Sequence, residues 1–297
     1  MKDIALGKLV VKKIFESSAA MPFPMVFPDI TNEDLATLKN WYWDDALTGD
    51  VKTSGLQLSV HSYLLQVNDL NILIDTCNGN DKSRSVPFAD NLQTDYLANF
   101  AKTGIAPEAI DIVLCTHMHC DHVGWNTRLT NGKWVPTFPN ARYIFSRKDY
   151  EHFIEQEHEV LHRESFDDSV LPIIKAGLAD IVEDDYIVDR QIGEGVWFEP
   201  ANGHSPGMCI IYAQDGGPKA IFSGDRFHHP IQLVRPDAQF FADHDPVQAA
   251  SVRMELLAKY ADTDAVFFPA HFGENSAGKL VSAEAGTYRF QFLEENK

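Results

Sequence analysis

The chain has 297 residues, of which 44% are hydrophobic and 23% are charged, and its formal net charge is −18. This composition is typical of a globular protein that buries a substantial core without disulfides. The strong negative charge argues against nucleic acid as a partner, because proteins bind its backbone by neutralising phosphates with lysine and arginine.

The cysteines and the N-terminus predict the compartment. The four cysteines form no C-x-x-C pair, which favours reduced thiols in a cytosolic protein. Residues 1–15 lack the apolar core of a secretory signal, and the sequence contains no apolar run near the ~20 residues of a transmembrane helix. We therefore expect a cytoplasmic protein that makes no contact with a membrane.

Residues 1–50 are expected to form an N-terminal extension. Residues 17–29 contain three prolines among large apolar side chains, and such a density of proline disfavours a regular helix or a central strand. An irregular arm packed on the core of its own chain is one interpretation. The alternative is an arm that covers a pocket or a partner subunit, which leaves a homodimer open.

From residue 51 to residue 297, strands and helices alternate without an intervening linker. Periodicity and turn residues predict the following elements: strands at 56–67, 71–75, 110–116, 195–200, 208–213, 219–223 and 265–268, and helices at 94–102, 148–182 and 246–260. This order suggests one α/β domain with two sheets covered by helices.

The helix at 246–260 has clear start signals. Asp245 is a good N-cap, and Pro246 suits the first helical position. Its buried stripe is predicted to consist of Val247, Ala250, Met254, Leu257 and Ala258.

Residues 116–124, THMHCDHVG, hold three histidines and one aspartate within six positions, directly after a predicted buried strand. Imidazole nitrogen and carboxylate oxygen are the ligands that a zinc-like ion prefers in a hydrolytic site. A loop that leaves a strand directs neighbouring side chains differently, so this segment can serve two ions. A chance histidine cluster on a surface loop is the simpler alternative.

The spacing of His117, His119, Asp121 and His122 resembles the H-x-H-x-D-H signature of metallo-β-lactamase-fold hydrolases. Further pieces of that pattern follow in the expected order: Asp75 in LIDT, His204 in GHSPG, Asp225 in SGD and His271 in PAHF. The resemblance covers roughly residues 55–275 and implies a four-layer αββα sandwich. Read singly, these four residues have simpler alternatives as a structural cap, turn residues or a core histidine.

The same resemblance implies two divalent metal ions with a hydroxide between them. The ligands it implies are His117, His119 and His204 for one ion, Asp121, His122 and His271 for the other, and Asp225 as the bridge. Asp121 is also expected to pass a proton to the leaving group, and Asp75 to orient a ligand from behind. Zinc is the first choice of metal, and cobalt, manganese or iron would also suit such ligands.

The segments DHVGWN at 121–126 and GDRFHHP at 224–230 are similar to the acyl-homoserine-lactone lactonase and methyl parathion hydrolase branch of that family. The branch implies a lactonase for an acyl-homoserine lactone or a similar lactone or ester. An organophosphate or aryl-ester hydrolase and a glyoxalase II-like thioesterase are alternatives. A non-catalytic metal-binding module and an iron dioxygenase acting on persulfides are less favoured.

Trp125 and Phe227 are predicted to line an acyl-chain pocket, with ordinary core packing as the alternative. His228 and His229 are interpreted as structural or pocket-wall residues. The remaining histidines form no pattern and are treated as ordinary: His61, His152, His158, His162 and His244.

Overall fold

The computed structural model describes residues 1–67, 69–155, 160–189, 195–273 and 275–293. Its strands are, in chain order, β1 Ile4–Leu6, β2 Leu9–Pro22, β3 Gly55–Val67, β4 Leu70–Ile74, β5 Ile112–Leu114, β6 Thr127–Thr130, β7 Lys133–Pro136, β8 Arg142–Ser146, β9 Ala179–Val182, β10 Ile187–Asp189, β11 Gly195–Pro200, β12 Cys209–Gln214, β13 Ala220–Gly224, β14 Val266–Pro269, β15 Gly278–Ser282 and β16 Tyr288–Phe292. Its α-helices are α1 Phe23–Val26, α2 Asn32–Lys39, α3 Tyr96–Ala101, α4 Cys120–Val123, α5 Arg147–Glu155, α6 Val160–Ser165, α7 Leu171–Lys175, α8 Ile231–Val234 and α9 Pro246–Tyr260.

Two seven-stranded sheets form the centre of the fold. Their strand orders are β1-β2-β3-β4-β5-β8-β9 and β10-β11-β12-β13-β14-β15-β16. Strands β4, β5, β8 and β9 run parallel to one another, and β13 runs parallel to β14, whereas the other neighbours are antiparallel. The short strands β6 and β7 form a separate hairpin.

Buried apolar residues pack between the two sheets and also between each sheet and the helices on its outer face. Residues from both sheets, including Leu65, Ile74, Ile211 and Phe222, pack in one central cluster. A second cluster packs the first sheet against α3, α5 and α7, and another packs the second sheet against α9. This arrangement confirms the predicted four-layer αββα sandwich.

The N-terminal residues are part of this sandwich. Strand β2 pairs with β3 from Val10–Gln66 to Pro22–Gly55, with a shift of register between Phe15 and Ser17. The prediction of irregular backbone is therefore wrong for residues 17–22, because Pro22 occupies only the last position of the strand. Short helix α1 follows at once, with Pro24 in its first turn.

Local sequence signals locate most of the other predicted elements within two residues. The predicted helix at 148–182 is an exception, since it comprises α5, α6, a π-helical turn at Phe166–Val170 and α7, and is followed by β9. Residues 156–159, which include His158, lie outside the described residues. Across the described chain, none of the helices is both long and apolar enough to cross a membrane.

Candidate metal centre

The candidate site lies where the parallel strands of both sheets end. Asp75 follows β4 and His117 follows β5, and these strands pair in register at Ile74 and Leu114. Asp225 and His271 follow the parallel strands β13 and β14 in the second sheet. Because the carboxyl ends of parallel strands meet at one edge, residues far apart in sequence lie close together here.

Four side chains form the first group, and their possible ligand atoms all lie within 4.8 Å of one another: His117, His119, His204 and Asp225. Nδ1 of His119 lies 3.0 Å from Nε2 of His117 and 2.9 Å from Nε2 of His204. Oδ2 of Asp225 lies 3.1 Å from Nε2 of His204.

Three more side chains form the second group: Asp121, His122 and His271. Oδ2 of Asp121 lies 3.8 Å from Nε2 of His122 and 3.6 Å from Nε2 of His271. Oδ1 of Asp225 lies 3.1 Å from each of these two nitrogens. Oδ1 of Asp225 therefore faces the second group, whereas Oδ2 lies near His204 of the first group and also 3.3 Å from Nε2 of His271.

Contacts behind the histidines determine which nitrogen faces the cluster. Nδ1 of His122 donates to Oδ2 of Asp75 at 2.8 Å, and Nδ1 of His204 donates to Oδ1 of Asp243 at 2.9 Å. Nδ1 of His271 donates to the carbonyl of Ser59 at 3.0 Å. Since carboxylates and carbonyls only accept hydrogen bonds, each ring directs Nε2 at the centre, with a lone pair there when the ring is neutral. Burial alone would lower the pKa of these three histidines, but Asp225 and neighbouring carboxylates outweigh it and raise the pKa of each.

Asp75 has a second contact that fixes its orientation. Its carboxylate accepts hydrogen bonds from the backbone nitrogen of Thr116, at 2.8 Å, and from the Thr116 hydroxyl. Asp75 therefore joins the residue before the motif to a histidine inside it.

The residues fit divalent cations on chemical grounds. Lone pairs of buried imidazoles converge on a buried carboxylate, which is unfavourable unless a cation or proton lies between them. Nε2 of His122 and Oδ1 of Asp225 are buried and lie 3.1 Å apart, but neither meets the geometry of a hydrogen bond with the other or with any further described residue. Buried polar atoms without a partner are uncommon, and a bound ion explains them.

The pKa shifts of His117, His119 and Asp225 favour the protonation states in which these residues can bind a metal. Burial, with help from neighbouring imidazoles, lowers the pKa of His117 and His119 well below the usual value. Burial alone would raise the pKa of Asp225, but the histidines around it, His122 first, outweigh this and hold its pKa well below the usual range. A neutral imidazole and an ionised carboxylate are the forms that bind a metal.

His228 is a neighbour of the cluster that the sequence pattern did not single out as a ligand. Its Nε2 lies 3.1 Å from Oδ2 of Asp225, and it forms a third close group with Asp225 and His271. Its ring stacks on Phe240 with a centroid distance of 3.5 Å. The position three residues after Asp225 was the only sequence signal available.

The cluster opens into a cavity of about 480 Å³. His119, Asp121, His204, Asp225 and His271 form its polar floor. Much of its wall is apolar and comes from four segments of the chain: Ala19 and Met21 in β2, Leu58 and Val60 in β3, Val86 and Phe88 in the loop between β4 and α3, and Phe240 and Phe241 before α9. Strand β2 therefore contributes directly to this cavity.

The two aromatic residues predicted to line a pocket are placed elsewhere. The Trp125 ring stacks on Tyr96, and its Nε1 donates to Glu16 at 2.6 Å. Phe227 packs in the core between the second sheet and α9. Neither belongs to the described cavity wall, because the backbone after each ligand turns the side chain into the core.

A family model and a known relative both match this chain. Residues 55–271 match the model of the metallo-β-lactamase superfamily. An N-acyl homoserine lactonase from Bacillus thuringiensis is 28% identical over 172 residues, which cover 54% of this chain and 60% of that relative.

Solved structures share the fold over almost the entire chain. The crystal structure of AbOPH, a hydrolase in the β-lactamase superfamily, has a TM-score of 0.81 and 22% identity, and the match covers 99% of this chain and 98% of that one. AidC, a dizinc quorum-quenching lactonase, has a TM-score of 0.80 and 22% identity, with 100% and 98% covered.

Proposed function

Since the chain belongs to the metallo-β-lactamase superfamily, we propose that this metal-dependent hydrolase holds two metal ions and cleaves lactones, with acyl-homoserine lactones as the favoured class. The observation that carries the proposal is the double group of His and Asp side chains that shares Asp225 and opens into an apolar cavity.

In this proposal each metal has its own ligands. His117, His119 and His204 would hold one ion, Asp121, His122 and His271 would hold the other, and Asp225 would be shared between them. The contacts of Asp225 with histidines of both groups support this shared position. Zinc is the favoured metal because it suits mixed imidazole and carboxylate ligands and undergoes no redox change.

The chemistry needs a strong nucleophile at neutral pH and a polarised carbonyl, and a pair of divalent ions supplies both when bound. The protein positions the reacting groups. Asp75, Asp243 and the Ser59 carbonyl hold three imidazoles at fixed angles, so little reorganisation is needed during the reaction.

Asp121 is suited to move a proton. It lies at the cavity floor, and its side chain is 22% exposed, against 4% for Asp225. A carboxylate in that position reaches the leaving oxygen of a bound ester or lactone, and it can hand over the proton that leaves the attacking water.

The cavity supports an acyl substrate. Its volume lies in the range of small-molecule sites, and its walls carry aliphatic and aromatic side chains above a polar floor. The ester or lactone carbonyl would lie over the ligand cluster, and an alkyl chain would extend along Met21, Leu58 and Phe88. The 28% identity to an N-acyl homoserine lactonase supports the same substrate class.

The substrate class is tested by comparing four substrates with the same metal-loaded protein. Proton release from N-hexanoyl-homoserine lactone is compared with hydrolysis of an aryl ester, an organophosphate triester and an acyl-glutathione thioester. We expect kcat/KM to be highest for the lactone. Preferred hydrolysis of the organophosphate or the thioester would refute the lactonase assignment and leave the metal-dependent hydrolase.

A further inference from the structure

Three histidines outside the ligand cluster line the same cavity. His152 lies in α5, His162 lies in α6, and His244 precedes α9. The ring centroids of His152 and His244 are 5.1 Å apart, and those of His152 and His162 are 6.2 Å apart. Three separate segments therefore bring imidazoles together at one part of the cavity wall, called the histidine wall below.

The histidine wall begins at the first ligand group. The ring of His162 stacks on His119 at 5.2 Å with an angle of 19° between the ring planes. Phe153 packs against this stack, with its ring centroid 4.6 Å from that of His162, and it lines the cavity together with Leu161. The row of imidazoles thus runs from the ligand His119 to His162, His152 and His244.

An apolar wall lies at the second ligand group. Leu58 and Val60 flank Ser59 in β3, and the Ser59 carbonyl accepts the hydrogen bond from His271. Side chains of Leu58 and Val60 line the cavity there, together with Met21 and Ala19 from the paired strand β2. Imidazoles therefore line the cavity beside His119, together with Phe153 and Leu161, whereas the wall beside His271 is formed by aliphatic side chains.

This asymmetry matters because each neutral imidazole offers one donor and one acceptor, whereas an alkyl chain uses neither. The wall would gain no polar contact from an aliphatic chain, which covers polar atoms without offering them a partner. It suits a substrate group that accepts hydrogen bonds.

We propose that His152, His162 and His244 form a subsite for a second carbonyl of the substrate, such as the amide oxygen of an N-acyl lactone. The inference rests on the proposed lactonase function and deepens it. With the scissile carbonyl over the ligand cluster, the amide oxygen lies against the histidine wall and the alkyl chain lies against the apolar wall. The three histidines bind and orient the substrate and take no part in bond cleavage.

The test compares two lactones that differ in the amide. N-hexanoyl-homoserine lactone carries it, and α-hexyl-γ-butyrolactone has the same ring and an alkyl chain without it. The variants are His152→Phe, His162→Phe and His244→Phe, which keep an aromatic ring and remove its hydrogen-bonding atoms. His162→Gln is the conservative variant, and Phe241→Ala at the exposed rim of the cavity is the control for lost apolar contact.

One neutral hydrogen bond is worth about 1 kcal/mol, which corresponds to about a fivefold change in binding. We expect at least one Phe variant to raise KM for the amide lactone about fivefold, with kcat within twofold, and to leave KM for the alkyl lactone within twofold. His162→Gln should recover part of any loss at that position. Phe241→Ala should weaken both lactones alike.

Failure of this inference is distinguishable from failure of the proposed function. If wild type hydrolyses both lactones and every Phe variant affects them equally or not at all, the subsite is wrong and the lactonase assignment stands. If metal-loaded wild type hydrolyses neither, the lactonase assignment is wrong. Calorimetry with ring-opened N-hexanoyl-homoserine then decides the subsite, which fails if wild type does not bind it or if all variants bind it equally well.

Discussion

Gly124 is the position where the ligand motif approaches the preceding loop most closely, so we predict that Gly124→Ala weakens the fold and the metal site together. A Cβ atom on Gly124 would lie 1.8 Å from the carbonyl oxygen of Asn78 and 2.6 Å from that of Cys77. Real Cβ contacts essentially never fall below 3.0 Å, so the two backbones must separate by about 1.2 Å.

The size of the effect follows from the hydrogen bonds that join these segments. Backbone nitrogens of Thr76, Gly124 and Trp125 donate to His122, Cys77 and Thr76, respectively, each at 2.7 Å. A buried backbone hydrogen bond contributes about 1 kcal/mol, and a group left unpaired costs more. Loss of all three predicts a decrease of at least about 3 kcal/mol in the free energy of unfolding.

Urea unfolding of metal-free protein measures the change, and the metal content of purified protein measures the effect on the site. Gly273→Ala is the matched control, because an added Cβ meets no atom within 4 Å there and the backbone has an ordinary φ. We expect Gly273→Ala to resemble wild type. A Gly124→Ala protein as stable and as metal-rich as Gly273→Ala would refute the reasoning.

Three further predictions concern other parts of the molecule. Asp75→Asn should weaken metal binding 10- to 100-fold, because it replaces one of the two accepting oxygens with a donor and so cannot serve both His122 and Thr116. Competition with a chelator measures this, and unchanged affinity would contradict it. Burial lowers the pKa of Lys82 from 10.5 to about 8 in the folded protein. Between these two values the unfolded chain binds more protons than the folded chain, so the free energy of unfolding rises with pH. The free energy of unfolding of wild type relative to Lys82→Met should therefore increase by about 2–3 kcal/mol across that range, and a flat or falling difference would oppose the assignment. Phe241→Ala should raise KM more for a decanoyl than for a butanoyl lactone, since Phe241 lines the cavity and is 50% exposed. Equal effects on the two lactones would show that the acyl chain does not contact Phe241.

Local signals predicted the bounds of α9 but not its buried face. Asp245 accepts a hydrogen bond from the backbone nitrogen of Gln248, as a cap should. Val247 and Met254, expected to be buried, are 70% and 44% exposed, whereas Arg253 is 1% exposed. Its guanidinium donates to three backbone carbonyls, which satisfies a buried charge that hydrophobic periodicity cannot anticipate.

The ligand motif could be predicted from the sequence because four of its residues lie within six positions. The other ligand residues follow strands that the sequence pattern also predicts. The histidine wall could not be predicted from the sequence, because His152, His162 and His244 form no spacing pattern and come together only through the packing of three segments. The strand at residues 17–22 was missed for the same reason, because its partner β3 lies about 40 residues away. Trp125 and Phe227 show that proximity to a ligand in sequence does not place a side chain in the cavity.

The central claim is that hydrolysis depends on two metal ions held by the cluster around Asp225. The most direct measurement is proton release from N-hexanoyl-homoserine lactone by protein stripped of metal and then titrated with zinc. We expect negligible release from stripped protein and recovery that reaches its maximum at two zinc ions per chain. Full activity after verified stripping, or no recovery with bound zinc, would contradict it.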